Sequence, residues 1–194
     1  MTKTLLCWLD IETTGLEHES DRLLEIAATV TTVAGRVLDD TSSFHTVVRL
    51  ADDWDRDRPD TWPVDDHVRA MHTSNGLWDL CSQHYVTVDE DTAIDRFCEW
   101  AHMFNDAGVT LHPAGSGVAR FDVPWLRARA DPDLPWPFHY REVDVSSMRI
   151  MFTHAGHVMP ARPEWHNAHR ARDDVDAAIG DYVYMLSKLT VGQV

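Results

Sequence analysis

The chain has 194 residues, of which 44% are hydrophobic and 25% charged, values typical of a globular protein with one sizeable core. Its formal net charge of −15 argues against a broad basic surface for long nucleic acid, although bound metal ions would reverse the charge locally. The sequence contains no apolar run long enough for a membrane helix, and an acid follows the N-terminal segment too early for a secretory signal. Three cysteines without paired spacing favour a reducing compartment, so we expect a cytoplasmic protein. The length of the chain predicts a single domain over residues 1–194.

The first 50 residues are predicted to form three strands. Apolar runs predict strands over residues 4–12, 23–35 and 37–50, which short turns would join into an antiparallel meander. Residues 51–66 are acidic and contain two prolines, which indicates a loop that leads into a short helix at 66–71.

Helices and strands alternate in the remainder of the chain. Apolar residues at helical spacing predict a helix from Asp91 to Phe104, with Asp91 or Thr92 as its cap. Further predictions are strands at 109–116 and 141–145, and helices that begin at Asp122, cover 146–154 and run from about Ala171 to Leu189. Strands followed by alternating helices and strands predict an α/β domain, with a mixed central sheet flanked by helices.

The first predicted strand ends in two acids, Asp10 and Glu12, which point to the same face because alternate strand residues do so. A pair of this kind is most often a strand end that turns into solvent. Leu9 and Ile11 on the opposite face, and the glycine turn that follows, strengthen the other interpretation, which is a cation site.

A hard divalent cation needs more oxygen ligands than two carboxylates supply, and further acids follow along the chain. Asp122 comes after a predicted strand, and Asp173 and Asp174 begin the last helix. The simple structural readings are a helix cap for Asp122 and a favourable helix-dipole charge for the other two. His169 lies five residues before Asp174, and a histidine side chain is suited to take a proton from water near neutral pH. Such a base beside two metal ions would suit phosphodiester hydrolysis.

Three segments together resemble the exonuclease motifs of the DEDD superfamily in its histidine subclass: DIETTG (10–15), GSGVARFDVPWL (115–126) and HRARDDV (169–175). The resemblance implies a ribonuclease H-like fold and two divalent ions, Mg²⁺ or Mn²⁺. It further implies that His169 is the general base, that Asp173 is only a neighbour, and that the metal ligands are Asp10, Glu12, Asp122 and Asp174.

Within that superfamily the similarity to oligoribonuclease runs over nearly the whole chain. It is carried by TTGLEHESDRLLEIAATVT (13–31), HTSNGL (72–77) and FHYREVDVSS (138–147). The resemblance implies that Leu16 wedges against the bases and that Tyr140 of a partner subunit stacks on a base. It also implies a homodimer in which Tyr140 and Arg141 cross to the partner's site, and a phosphate cap that closes off the 5′ end of very short substrates, formed by Arg141, Ser146 and His72. Without the resemblance, Tyr140 and Arg141 would be an aromatic at a strand edge and a solvated cation.

The chain departs from the oligoribonuclease pattern at two places. His67 stands where the family has a stacking tryptophan, and GSGVARFD differs from the family's segment before the third acid. The phosphate-cap serine of that segment corresponds to Val118 by direct count, or to Ser116 with a gap.

These features lead to one main expectation and two alternatives. The main one is a metal-dependent 3′→5′ exoribonuclease that hydrolyses short RNA, from dinucleotides to a few nucleotides, to nucleoside 5′-monophosphates. The departures favour, as the first alternative, a broader single-strand exonuclease that acts on DNA or on RNA 3′ ends. The second alternative is a catalytically inactive nucleic-acid-binding module, against which the complete set of acids argues.

Overall fold

A computed structural model describes residues 3–50, 64–83, 86–161 and 169–190, so the predicted loop at 51–66 lies mostly outside the described residues. The described residues contain a five-stranded mixed sheet, whose strands are β1 (Lys3–Thr13), β2 (Leu23–Thr32), β3 (Ser43–Val47), β4 (Val109–Gly115) and β5 (Val143–Asp144). Strands β1 to β3 form the predicted antiparallel meander, and β4 and β5 run parallel to β1. The strand order is β3-β2-β1-β4-β5, so β1 is the central strand.

Six helices surround this sheet within the described part of the chain. They are α1 (Asp66–Ser74), α2 (Leu77–Cys81), α3 (Glu90–Asp106), α4 (Asp122–Arg129), α5 (Val145–His154) and α6 (Ala171–Thr190). Helix α2 was not predicted, and α1 is longer than the predicted 66–71. Gly76, at a φ of 76°, adopts the left-handed conformation between α1 and α2, which favours glycine. The mixed α/β fold class is thus confirmed.

The third strand is much shorter than the predicted 37–50. Residues Asp40–Ser42 form a 3₁₀ turn, because the Asp39 carboxylate accepts the Thr41 backbone N–H and the Ser42 hydroxyl accepts the Asp39 N–H. This capping box satisfies backbone groups locally, in competition with sheet pairing. Val37 keeps only an isolated bridge to Thr31.

The predicted strand at 141–145 is reduced to Val143–Asp144 for a similar reason. The Arg141 backbone N–H donates to His139 Nδ1, and the Asp144 carboxylate accepts the Ser147 N–H to cap α5. Side chains therefore take over the backbone groups that a longer strand would have paired.

The two faces of β1 pack against different helices, and this alternation determines where the acids lie. Leu5, Cys7, Leu9 and Ile11 join a core with residues of α3 and α4. Leu6 and Trp8 join a second core with residues of α5 and α6. Asp10 and Glu12 follow Leu6 and Trp8 at alternate positions, so β1 changes from apolar to acidic on the face that α6 covers.

Among the described residues, the structure contains no helix with the length and apolar character that crossing a membrane requires.

Candidate active site

Three of the predicted metal ligands meet at the C-terminal end of β1. Carboxylate oxygens of Asp10, Glu12 and Asp174 all lie within 4.8 Å of one another. These acids, together with Ile11, Ser116 and His169, line an open cavity of about 240 Å³. The structure therefore brings the ends of β1 and β4 and the start of α6 to one place.

Asp122 is the first residue of α4 and is only 3% exposed. Its Oδ1 accepts the backbone N–H of Ile11 at 3.0 Å, a contact that joins residues 111 positions apart. The simple reading of Asp122 as the cap of its own helix is wrong, because Phe121 occupies the cap position and makes no side-chain cap. The Asp122 carboxylate is instead aimed at the acidic end of β1.

The pKa values of these acids are raised, because their charges are buried together. Burial raises the pKa of Asp10 well above its ordinary value, and repulsion from Asp122 and Glu12 adds to the effect. Burial and then the charge of Asp174 raise the pKa of Glu12 to about 8. Burial also raises the pKa of Asp122 to about 7, against the lowering effect of the hydrogen bond from Ile11. A converging set of oxygen donors that repel one another when ionised fits a hard divalent cation.

His169 lines the same cavity and is itself exposed to solvent. Its φ of 46° is the only positive value of a non-glycine residue in the described ranges. This left-handed conformation costs a histidine about 1–3 kcal/mol, and strain of this kind is often found at functional sites. The His169 carbonyl accepts a hydrogen bond of 2.6 Å from Asn75 Nδ2, just after α1, which helps to hold the strained residue.

Asp174 and Asp173 both lie in the first turn of α6, where a negative charge interacts favourably with the helix dipole. Asp174 in addition belongs to the acidic cluster, whereas Asp173 is not among the clustered acids of the described residues. A favourable interaction with the helix dipole is therefore compatible with both residues. It does not explain why Asp174 lies beside Asp10 and Glu12.

Leu16 stands on a short loop between β1 and β2, with its side chain 77% exposed. The Asp21 carboxylate accepts the Glu17 backbone N–H at 2.8 Å within this loop. From outside the loop, Arg129 donates to the carbonyls of His18 and Asp21. The loop thus presents an exposed apolar side chain on a backbone that Asp21 and Arg129 hold in place.

The side chains of Tyr140 and Arg141 lie on the surface beyond β4. Tyr140 is 73% exposed, its ring lies 4.4 Å from that of His139, and the Arg141 guanidinium lies 5.2 Å from the tyrosine ring centre. His67, in the first turn of α1, is exposed as well. These three side chains are accessible for stacking, and their roles in substrate binding stay predictions.

His72 differs from the other predicted phosphate-cap residues in that its side chain is fully buried. It is 0% exposed, and its Nε2 is 3.7 Å from Glu12 Oε2. Burial lowers the pKa of His72. In this conformation the ring faces a predicted metal ligand from the protein interior, and its role in the phosphate cap stays a prediction.

The sequence left open whether Ser116 or Val118 corresponds to the phosphate-cap serine of the family. Ser116 lines the acidic cavity, and its hydroxyl lies 2.8 Å from that of Ser146, a predicted phosphate-cap residue. Because β4 runs parallel to β1, both strands end at the same edge of the sheet. This sheet topology identifies Ser116, which directly follows β4, as a residue near the end of β1. The motif spacing in the sequence does not reveal the topology.

Comparisons with known proteins agree with this geometry. A family model described as Exonuclease matches residues 7–58. Oligoribonuclease of Rhodococcus jostii is 32% identical over 180 residues, which is 92% of this chain and 84% of the relative. Oligoribonuclease of Nocardia farcinica is 31% identical over 185 residues, which is 95% of this chain and 80% of the relative.

Solved structures of exonuclease I share the fold. A zinc-bound complex of the E. coli protein with single-stranded DNA matches with a TM-score of 0.69 at 18% identity, over 97% of this chain. A complex of exonuclease I with a 5cy-dT13 oligonucleotide matches with a TM-score of 0.63 at 16% identity, over the same 97% of this chain. The chain spans less than half of these proteins, 41% and 43% of their length.

Proposed function

Because the chain belongs to the oligoribonuclease family and is a 3′→5′ exonuclease, we propose that its substrates are short RNA strands, from dinucleotides to a few nucleotides. The products are nucleoside 5′-monophosphates. The observation that supports this proposal most strongly is the shared cavity of Asp10, Glu12, Asp174 and His169 at the end of β1.

The acids of the site are assigned to two divalent cations, Mg²⁺ or Mn²⁺. The oxygen donors would come from Asp10, Glu12, Asp122 and Asp174, whose buried and mutually repelling charges need a positive partner. When bound, such ions supply the charge that polarises a phosphate and stabilises the negative charge that develops during hydrolysis.

His169 acts as the general base in this proposal. A ring nitrogen takes a proton from the attacking water, whose oxygen forms a bond to phosphorus while the bond between phosphorus and the 3′ oxygen breaks. The leaving 3′ oxygen is protonated from solvent, and His169 returns its proton to solvent. The solvent exposure of His169 is compatible with this exchange.

The substrate is held by side chains outside the acidic cluster. Leu16 packs against the bases, and His67 offers a smaller stacking surface than the tryptophan of the family. The phosphate cap is assigned to Arg141, Ser146 and His72, with Ser116 beside Ser146. His72 would have to become accessible in the bound state.

The assembly is proposed to be a homodimer, in which Tyr140 and Arg141 reach the site of the partner. The large exposed areas of Tyr140 and of Ile150 in α5 support this assignment. The chain is assigned as one exonuclease domain over residues 1–194. Its three described cysteines are buried and free, which supports a cytoplasmic location.

The test is a length series of 5′-labelled RNAs of two, three, five and ten nucleotides, together with single-stranded DNA, each with and without Mn²⁺. We expect metal-dependent cleavage that is fastest on the shortest RNAs, because a closed phosphate cap excludes longer chains. The absence of cleavage of every substrate would contradict the proposal.

A second candidate function is a broader single-strand exonuclease. His67 in place of tryptophan and the GSGVARFD segment favour it, and structural relatives in the exonuclease I group were solved with single-stranded DNA. Comparable rates on the two-mer and the ten-mer, or on RNA and DNA, would favour this candidate. An inactive binding module would bind these strands without cleaving them.

A further inference from the structure

Glu25 is a buried acid of β2 that the proposed chemistry does not use. It pairs with Glu12 across the β1–β2 ladder, so the two side chains lie on the same face of the sheet. Glu25 is 0% exposed. Two carboxylates at such neighbouring positions destabilise a sheet unless each has its own positive partner.

Glu25 is surrounded by hydrogen-bond donors from the start of α6. Arg170 donates from Nη2 to Oε1 at 2.6 Å and from Nε to Oε1 and Oε2 at 3.2 Å and 3.1 Å. The Ala171 backbone N–H donates to Oε2 at 2.9 Å, and His45 Nε2 donates to Oε1 at 2.8 Å. These hydrogen bonds, chiefly those from His45 and Arg170, outweigh the effect of burial and lower the pKa of Glu25 to about 2.

The contacts of Glu25 therefore fix the residue that directly follows His169 and the first residue of α6. Asn75 holds the His169 carbonyl from the other side. Asp174 lies one turn further along α6, and its backbone N–H donates to the Arg170 carbonyl at 3.0 Å. Arg170 and Ala171 thus anchor the segment from His169 to Asp174 to Glu25 of β2.

We propose that Glu25 is a positioning residue, and that its ion pair with Arg170 sets the placement of His169 and Asp174 against Asp10 and Glu12. The inference rests on the proposed function for its catalytic consequence. The anchoring itself is a property of the fold that can be measured without substrate.

The test compares variants of the ion pair. Arg170→Met removes the guanidinium, Arg170→Lys keeps the charge without the two-nitrogen contact, and Glu25→Gln/Arg170→Met removes both charges. Arg149→Met is the matched control, because it removes an ion-pair partner of Asp181, a residue of α6 that does not line the acidic cavity. Each variant is assayed for kcat and KM on dinucleotide RNA with Mn²⁺, for thermal unfolding, and for amide hydrogen exchange over residues 169–178.

For Arg170→Met we expect a fall in kcat of about 10–100-fold with KM changed by less than about threefold, and faster exchange over 169–178. Arg170→Lys should lie between this variant and the wild type. The double variant should regain stability, because no unpaired buried charge is left, while its kcat stays low. Arg149→Met should lower the unfolding temperature and keep the kcat of the wild type.

Two results would overturn the inference. One is a wild-type rate of exchange over 169–178 in Arg170→Met. The other is a double variant whose kcat recovers together with its stability, because the ion pair would then act through stability alone. If the wild type cleaves no RNA or DNA, the proposed function fails, and the exchange data still decide whether Glu25 anchors the segment.

Discussion

Glu12 in β1 and Glu25 in β2 are cross-strand neighbours, and their surroundings shift the pKa values of the two carboxyl groups in opposite directions. Arg170, Ala171 and His45 hold Glu25 as a carboxylate with a pKa of about 2. Burial raises the pKa of Glu12 to about 8, and the charges of Asp174 and Glu25 add to the effect. Glu25 thus has positive partners within the protein, whereas the raised pKa of Glu12 fits its predicted role as a metal ligand.

At the residue scale, Asp10→Asn tests whether the acids are a metal site. The change removes an acid whose ionisation is opposed by burial and by four other carboxylates, so we expect the metal-free protein to unfold at a higher temperature. We also expect activity to fall by at least about 100-fold, because a ligand is lost. Thermal unfolding in EDTA and initial rates with Mn²⁺ measure the two effects.

Asp106→Asn is the control for this prediction, because Asp106 is an exposed acid at the end of α3. It should leave the activity unchanged. Full activity of Asp10→Asn would show that the site has been assigned to the wrong acids.

At the scale of elements, the loop between β1 and β2 connects the strand of Asp10 and Glu12 to the exposed Leu16. Gly15 is the second residue of this loop, and a Cβ there would lie 2.3 Å from Asp21 Oδ2. The Asp21 carboxylate could move away only by giving up its hydrogen bond to the Glu17 N–H. The glycine is therefore needed for close packing rather than for an unusual φ.

We expect Gly15→Ala to displace Leu16 and to raise KM for dinucleotide RNA by roughly tenfold, with the fold retained. Gly180→Ala is the matched control, because a Cβ at this exposed position in α6 meets nothing within 4 Å. It should stabilise the protein by about 0.5–1 kcal/mol without changing KM. Steady-state kinetics and urea unfolding measure both variants, and an unchanged KM in Gly15→Ala would contradict a role for the loop in substrate binding.

At the scale of the whole molecule, the raised pKa values make the stability of the metal-free protein depend on pH. Glu12 and Asp122, with pKa values of about 8 and about 7, keep protons in the folded state that the unfolded chain has already lost. Folding therefore takes up protons, and stability falls as the pH rises towards 8. Glu25 has the opposite sign, because its stabilising charge is lost only as the pH falls from its ordinary pKa range towards 2.

We accordingly expect the free energy of unfolding in EDTA to be lower at pH 8 than at pH 6, by about 1 kcal/mol per pH unit from Glu12 alone. Saturating Mn²⁺ should reduce this difference, because bound ions favour the ionised acids. Urea unfolding at both pH values measures it, and Glu12→Gln should show a smaller dependence. Equal stability at pH 6 and pH 8 in EDTA would contradict the electrostatic description of the site.

Predictions from the sequence succeeded where the information is local. The strand that carries Asp10 and Glu12 and the last helix were both placed within about two residues, because apolar periodicity marks them directly. Predictions were less accurate where side chains compete with the sheet, as at Asp39 and Asp144, because a single capping bond ends a strand without changing the apolar pattern.

The sequence by itself determined the family, the mixed α/β fold and the shared face of Asp10 and Glu12, because motif order and strand periodicity are properties of the chain alone. Only the tertiary structure decided that Glu25 forms an ion pair with Arg170, that His72 is buried beside Glu12, and that the hydroxyls of Ser116 and Ser146 are hydrogen-bonded. Burial and the distances between charges depend on residues far apart in the chain, and these quantities set which acid is ionised and which side chain is accessible.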